Sequence, residues 1–200
     1  MRVAVIGATG TIGRAVAEAL SGAHEVLRVG NTSGEYQVDI ASPDSIRRLF
    51  EETGSVDAVV CCAGSARFRP LAELTDEDFR FSLGHKLTGQ VNLVRLGIPH
   101  VREGGSFTLT SGVLASEPTP GSAAISVVNA GVEAFARAAA LELPGRRRVN
   151  VVSPPWVSET LESMGRDGSG GLPASSVARA YVHSLTGTEN GVVFDARRIA

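Results

Sequence analysis

At 200 residues, with 19 Lys+Arg against 21 Asp+Glu and a formal net charge of −2, the chain has the length of one domain with a real core. Its charge has the wrong sign for gripping a nucleic-acid backbone. No stretch approaches a membrane-spanning run of uncharged apolar residues, and Met1-Arg2 leads straight into a strand-like segment without a signal-peptide flank, so a cytoplasmic protein is expected. Two cysteines, adjacent at Cys61-Cys62, cannot staple distant segments, and four scattered histidines lack ligand spacing, so neither a disulfide nor a metal is expected.

Short apolar runs alternate with longer amphipathic ones, the pattern of β-α units on a parallel sheet buried on both faces. Strands are predicted over 3–6, 26–29, 36–38, 56–62, 107–110, 149–152 and 192–195. The first helix is predicted over 12–20. The next runs over 43–52, with Ser42 as cap, Pro43 in its first turn and Gly54 beyond its end. Thr75 caps a long helix over about 75–98, an Ala-rich helix spans 122–143 and stops at Pro144-Gly145, and a last one covers about 175–185. Two stretches lack periodicity, 113–121 and 158–173, and the second carries Gly168-Ser169-Gly170-Gly171, the composition of a short lid. The expected fold is α/β, a three-layer arrangement of a seven-stranded parallel sheet flanked by helices, forming one domain over 1–200.

The first strand runs into Gly7-Ala8-Thr9-Gly10-Thr11-Ile12-Gly13 and then a helix. Glycines there let the backbone approach a pyrophosphate, whose charge is favoured by free N–H groups at a helix start; the other reading is a tight turn with close helix packing. At the opening of a β-α-β unit the sequence points to a dinucleotide on a Rossmann fold. The second strand ends in Gly30-Asn31-Thr32-Ser33-Gly34, without the carboxylate that would hold a ribose 2′-hydroxyl. Asn31, Thr32 and Ser33 therefore lean towards NADP(H), with NAD(H) left open, and they equally fit plain turn chemistry.

These motifs, with others further along, resemble the short-chain dehydrogenase/reductase family over nearly the whole chain. Val38-Asp39-Ile40 is similar to the family's Asp-hydrophobic pair, which places Asp39 and Ile40 beside an adenine. Cys61-Cys62-Ala63-Gly64 resembles its Asn-Asn-Ala-Gly, implying cofactor contacts from Cys62, Ala63 and Gly64. Gly105 to Gly112 looks like the strand leading to the catalytic serine, and Ala130 to Leu143 like the helix after the catalytic Tyr-x-x-x-Lys. Val149-Asn150-Val151-Val152-Ser153-Pro154 is similar to the family's sixth strand, implying that Pro154 and Val157 border the nicotinamide. By the same resemblance the long helices 75–98 and 122–143 are expected to pair copies into a homodimer or homotetramer.

The resemblance also implies a degenerate active site. Counting from Ala130-Gly131, the family lysine falls on Asn129, the tyrosine on Ile125, the serine on Gly112 with Ser111 one place short, and the asparagine on Lys86. Ile125 has no proton to give, and general acid help is worth about 10²–10⁴ in rate. Lys86 could replace it if desolvation lowers its pKa, or could simply lie along its helix with its head in water. Its neighbour His85 is expected to point elsewhere and is given no role. Ser111 is either an inward-turned hydroxyl or one satisfied by strand-end backbone. Three functions remain open: an oxidoreductase on a small carbonyl, alcohol or imine with Lys86, Ser111 and Asn129 in the site; a non-catalytic dinucleotide sensor or interaction module; and a non-redox dehydratase or isomerase.

Overall fold

The computed structural model describes residues 1–199. Its seven strands are β1 (Arg2–Ile6), β2 (Glu25–Gly30), β3 (Tyr36–Gln37), β4 (Val56–Cys61), β5 (Val101–Thr110), β6 (Arg148–Ser153) and β7 (Val193–Asp195). They form one sheet in the order β3-β2-β1-β4-β5-β6-β7, every neighbouring pair parallel. The order reverses between β1 and β4, so the connections leaving these two strands run to opposite sides and open a crevice at their carboxyl ends. Central strands are buried on both faces, which is why they read as unbroken apolar runs. One face packs Ile6, Phe50, Leu93, Phe107 and Val132. The other packs Val16, Val60, Val177 and Tyr181.

β5 begins six residues earlier than the predicted start at Phe107. Val101 pairs with Val56, and pairing then resumes at Ser106 with Ala58, so the polar residues between them form a bulge that breaks the alternation. The helices α1 (Thr11–Ser21) and α2 (Pro43–Thr53) follow β1 and β3. Ser42 caps α2 by accepting from Ser45 N–H at 3.3 Å. Thr75 and Asp78 form a reciprocal capping box at the start of α3 (Asp76–Ser82).

The long helix expected over 75–98 is interrupted. α3 passes into a wider π-helical segment, Leu83–Thr88, before α4 (Gly89–Gly97) resumes the ordinary pitch. Such insertions change which side chains face a neighbouring groove, and they concentrate at functional sites. α5 (Ala123–Glu142) is long and apolar enough to pass a membrane-span test of length and composition, but it lays Ala124, Val128, Val132 and Ala136 on the sheet and carries Glu133 and Arg137. The aperiodic 158–173 stretch, expected as a short lid, contains α6 (Ser158–Ser163), a single turn at Gly168–Gly170 capped by Asp167, and a bridge from Val157 to Leu172. The Glu159 carboxylate accepts from the first N–H of α7 (Ala174–Thr186) at 3.0 and 3.1 Å.

Candidate functional site

The glycine turn after β1 is held in place by its own backbone. Gly7 and Ala8 N–H both donate to Val29 O, at 2.8 and 3.0 Å, and Gly10 N–H donates to Gly7 O at 3.0 Å. Gly7 has φ +83°, and a Cβ there would lie 3.0 Å from Ala63 N. A Cβ on Gly13 would meet Gly7 O at 2.0 Å, so α1 can start this close to the strand only without a side chain. Gly10 offers no side chain to cap α1, which leaves its first N–H groups facing outward beside the crevice. That is a cradle with room for a diphosphate and with the donors to hold one.

The crevice encloses about 250 Å³. Of the expected cofactor residues, Gly7, Thr9, Gly10, Asn31, Asp39, Ile40, Cys62, Ala63 and Gly64 line it. Thr11 is exposed on the first turn of α1, Ile12 packs into the core beneath the sheet, and Gly13 is buried under the turn. Thr32 and Ser33 do not line the crevice: Thr32 O accepts from Gln37 Nε2 at 3.3 Å, and Ser33 O fills the space a Gly30 Cβ would need. Asp39 Oδ1 accepts from Ala41 N–H at 2.9 Å, bending the chain into α2. Cys62 is half-buried at the wall, while Cys61 is fully buried and its thiol pKa is pushed up to about 12 by desolvation.

His85, expected to point elsewhere than Lys86 and given no role, does point elsewhere: it lines this crevice with Gly64 and Ser65, and its ring lies 4.4 Å from the Phe81 ring, centroid to centroid. Nothing in the helical periodicity signals the π-helical segment that carries it. Arg14, on the first turn of α1, donates to Thr9 O at 3.2 Å and sets a positive charge beside the phosphate turn.

A second cavity of about 160 Å³ adjoins Gly64. Lys86, Ser111, Gly112, Ile125, Asn129 and Pro154 all line it, together with Pro155 and Trp156. Val157 is buried behind it, 4% exposed, in the core under the sheet. The Lys86 stem lies where a side chain on residue 64 would go, 3.1 Å from that Cβ position, and its Nζ donates to Ser111 O at 3.3 Å. Desolvation pulls the ammonium pKa down from 10.5 to about 8. Ser111 Oγ donates to Glu133 Oε1 at 2.9 Å, a carboxylate with only 14% of its side chain exposed. Asn129 Nδ2 donates to Gly112 O at 3.4 Å, and its Oδ1 is buried without a partner.

Among the described residues no tyrosine lines either space: Tyr36 sits on the edge strand, and Tyr181 is fully buried with its hydroxyl 2.6 Å from Thr110 Oγ1. Burial raises the Tyr181 phenol well above its usual pKa. Two residues that sequence reasoning missed brace the cavity from behind. The buried amide of Gln90 accepts from Thr110 N–H at 2.8 Å and donates to Thr110 O at 2.9 Å, clamping the end of β5 next to Ser111. Glu133 is the other. Glu133 stands four residues beyond Asn129 on α5, and that spacing was the available signal; Gln90 follows Lys86 across the junction of the π-helical segment and α4, where the spacing gives no such signal.

A parallel sheet with a glycine cradle at its switch point defines a nucleotide-binding α/β protein of the Rossmann class. Comparison with known proteins narrows this. The family described as enoyl-(acyl carrier protein) reductase matches residues 7–192. An uncharacterized oxidoreductase of Methylorubrum extorquens is 30% identical over 181 residues, which cover 78% of this chain and 73% of that protein. Hydroxynaphthalene reductase arp2 of Aspergillus fumigatus is 29% identical over 142 residues, 68% of this chain and 52% of the relative, so the chain spans about half the length of that curated relative.

Among solved structures, the protein lin1944 of Listeria innocua superposes with a TM-score of 0.93 at 42% identity, covering 98% of each chain. A small-chain dehydrogenase in complex with NADPH gives a TM-score of 0.86 at 26% identity, covering 98% of this chain and 95% of the other. The chain belongs to the short-chain dehydrogenase/reductase family of oxidoreductases.

Proposed function

We propose that this protein is an NADP(H)-dependent oxidoreductase that reduces a small carbonyl or imine, with Lys86 as the proton donor in place of a tyrosine. The observation that carries this reading is the position of Lys86. A half-buried amine with its pKa lowered to about 8 stands between the glycine-turned crevice and the cavity, where it can give up a proton near neutrality. The NADP preference is supported by Asn31, which lines the crevice at the uncharged end of β2, by Arg14 beside the turn, and by the NADPH-bound structural relative.

A reduced nicotinamide, when bound, supplies the hydride. The chain's own residues do the rest: the Gly7 to Gly13 turn holds a diphosphate, Pro154 and Trp156 close the cavity wall, and Lys86 gives its proton to the substrate oxygen or nitrogen. Asn129 and Ser111 orient the substrate. In this reading the protein works in the cytoplasm as one domain, and a second copy covers the apolar groove between α4 and α5, lined by Val91, Val94, Ile98, Phe135 and Leu143.

The test pairs NADPH binding, followed by fluorescence titration, with NADPH oxidation on a panel of small ketones, aldehydes and imines. Wild type should bind NADPH more tightly than NADH and oxidise it, while Lys86→Met should bind NADPH equally and lose turnover. Tight binding with no oxidation on any substrate overturns the oxidoreductase reading in favour of a dinucleotide-dependent interaction module. Unchanged turnover in Lys86→Met removes the lysine from the mechanism.

A further inference from the structure

The crevice at the glycine turn is lined by Asp39, a carboxylate, and by His85, an imidazole. The remaining ionisable side chain in its lining, Cys62, is held as a neutral thiol by burial. Asp39 has the wrong sign for a ligand built on phosphates, and the Gly7 to Gly13 turn offers backbone dipoles without a full charge. Among the described residues that line the crevice, His85 is therefore the one that can turn positive beside such a ligand.

Its ring is held at the wall. It rests against Phe81 at 4.4 Å, centroid to centroid, and the Arg67 guanidinium covers the Phe81 ring at 3.9 Å. His183 lies 3.4 Å from the Glu189 carboxylate, whereas His85 has no such partner among the described residues. Its charge is thus open to a ligand.

The surrounding charges leave this possible. Asp39, in the same crevice, favours the imidazolium. Arg67 opposes it but is drawn to Asp78 at 3.5 Å, a carboxylate that also lies 3.4 Å from Arg69. Lys86, next in sequence, lines the adjoining cavity and donates to Ser111 O. The π-helical segment packs on α3, α4 and α5. Asp76, Glu77 and Arg80 of α3 are exposed, Arg95 of α4 donates to Asn92, and Glu133 of α5 accepts from Ser111 and Arg137.

We infer that His85 is a dinucleotide-binding residue that acts through charge, its imidazolium drawing the phosphates into the crevice so that affinity rises as the pH falls. The inference rests on the reading of this crevice as the cofactor site. It requires no direct contact, because unit charges attract across a Debye length of about 8–10 Å. Imidazole changes charge between about pH 5 and 8. At the upper end the ring is neutral with or without ligand and contributes no attraction. As the pH falls, bound phosphates favour the protonated ring, so binding takes up a proton and tightens; once the ring is charged in both free and bound protein, the gain levels off.

Calorimetric titration of the full-length chain with NADP+ at pH 5.5, 6.5 and 7.5 tests this without turnover. Lys86, with its pKa at about 8, stays largely charged over that range. The ligand's own 2′-phosphate titrates there too, and comparison with His85→Gln removes its effect because both proteins meet the same ligand. Between pH 7.5 and 5.5 wild type should gain about three- to tenfold more affinity than His85→Gln gains. At pH 6.5, titrations in two buffers of different ionisation enthalpy should show wild type taking up more protons per NADP+ than the variant. His85→Lys, charged throughout, should bind more tightly than His85→Gln at pH 7.5. Should the glutamine variant fail to fold, His85→Phe, which keeps a ring against Phe81, takes its place.

Equal pH trends in wild type and the neutral variant, equal proton uptake, or a lysine variant no tighter than the neutral one would each overturn the inference while leaving the cofactor site in place. Absence of NADP+ binding to wild type at every pH is a different result, and it would overturn the oxidoreductase reading itself.

Discussion

Lys86→Met should make the protein more stable at neutral pH while removing its chemistry. The ammonium is held in a poorly solvated position that lowers its pKa from 10.5 to about 8. At ~1.36 kcal/mol per unit the shift corresponds to a ceiling of about 3 kcal/mol. The partial exposure of Lys86 and its hydrogen bond to Ser111 O, worth about 1 kcal/mol, reduce the expected gain to about 1–2 kcal/mol.

The sign follows from linkage. Below about pH 8 the lysine is charged in both folded and unfolded chains, and the folded state carries the whole desolvation cost. Between about 8 and 10.5 the folded protein sheds this proton while the unfolded chain keeps it, so the cost fades; above 10.5 both are neutral. Urea denaturation of wild type and Lys86→Met at pH 7, 9 and 11 should therefore show the variant ahead at pH 7, with an advantage that narrows at 9 and has gone by 11. A variant that is less stable at pH 7, or a difference that does not change with pH, would refute the argument that Lys86 is desolvated.

Three further substitutions separate scaffold from chemistry. Gly13→Ala places a Cβ 2.0 Å from Gly7 O and should weaken NADPH binding at least tenfold by titration, on the order of 1.4 kcal/mol, because the turn must open. Gln90→Leu strips both hydrogen bonds from buried Thr110 and should cost about 2–4 kcal/mol in denaturant unfolding. Tyr181→Phe should lose about 1 kcal/mol of stability with its bond to Thr110 and leave turnover unchanged, which distinguishes this phenol from a catalytic one.

Most of the scaffold was legible because it depends on local chemistry. Ser42 and Thr75 cap helices with side chains that bind the N–H groups three residues on, and the turn from Gly7 to Gly13 follows from glycine spacing alone. What escaped depends on backbone detail or on contacts between distant segments. Adjacent residues of an α-helix diverge by about 100°. His85 and Lys86 diverge as adjacent helical positions do, but that divergence alone does not say that His85 reaches the nucleotide crevice and Lys86 the neighbouring cavity, from a turn between Leu83 and Thr88 that is π-helical. Residues 101–104 fall outside the predicted strand because a bulge breaks their pairing with β4. The sequence allows Ser111 either an inward hydroxyl or one satisfied by backbone; it is satisfied by Glu133, 22 positions along the chain, which only the packing of α5 against β5 could reveal.

The central claim is that a lysine performs the proton transfer. The most direct measurement is the pH dependence of kcat/KM for NADPH oxidation in wild type and Lys86→Met. The wild-type rate should hold level below about pH 8 and then fall about tenfold per pH unit as Lys86 loses its proton. Lys86→Met should lack that descent and run about 10²-fold or more slower at neutral pH, with its NADPH affinity intact. A wild-type profile that stays flat through pH 9, or a methionine variant as fast as wild type, would contradict it.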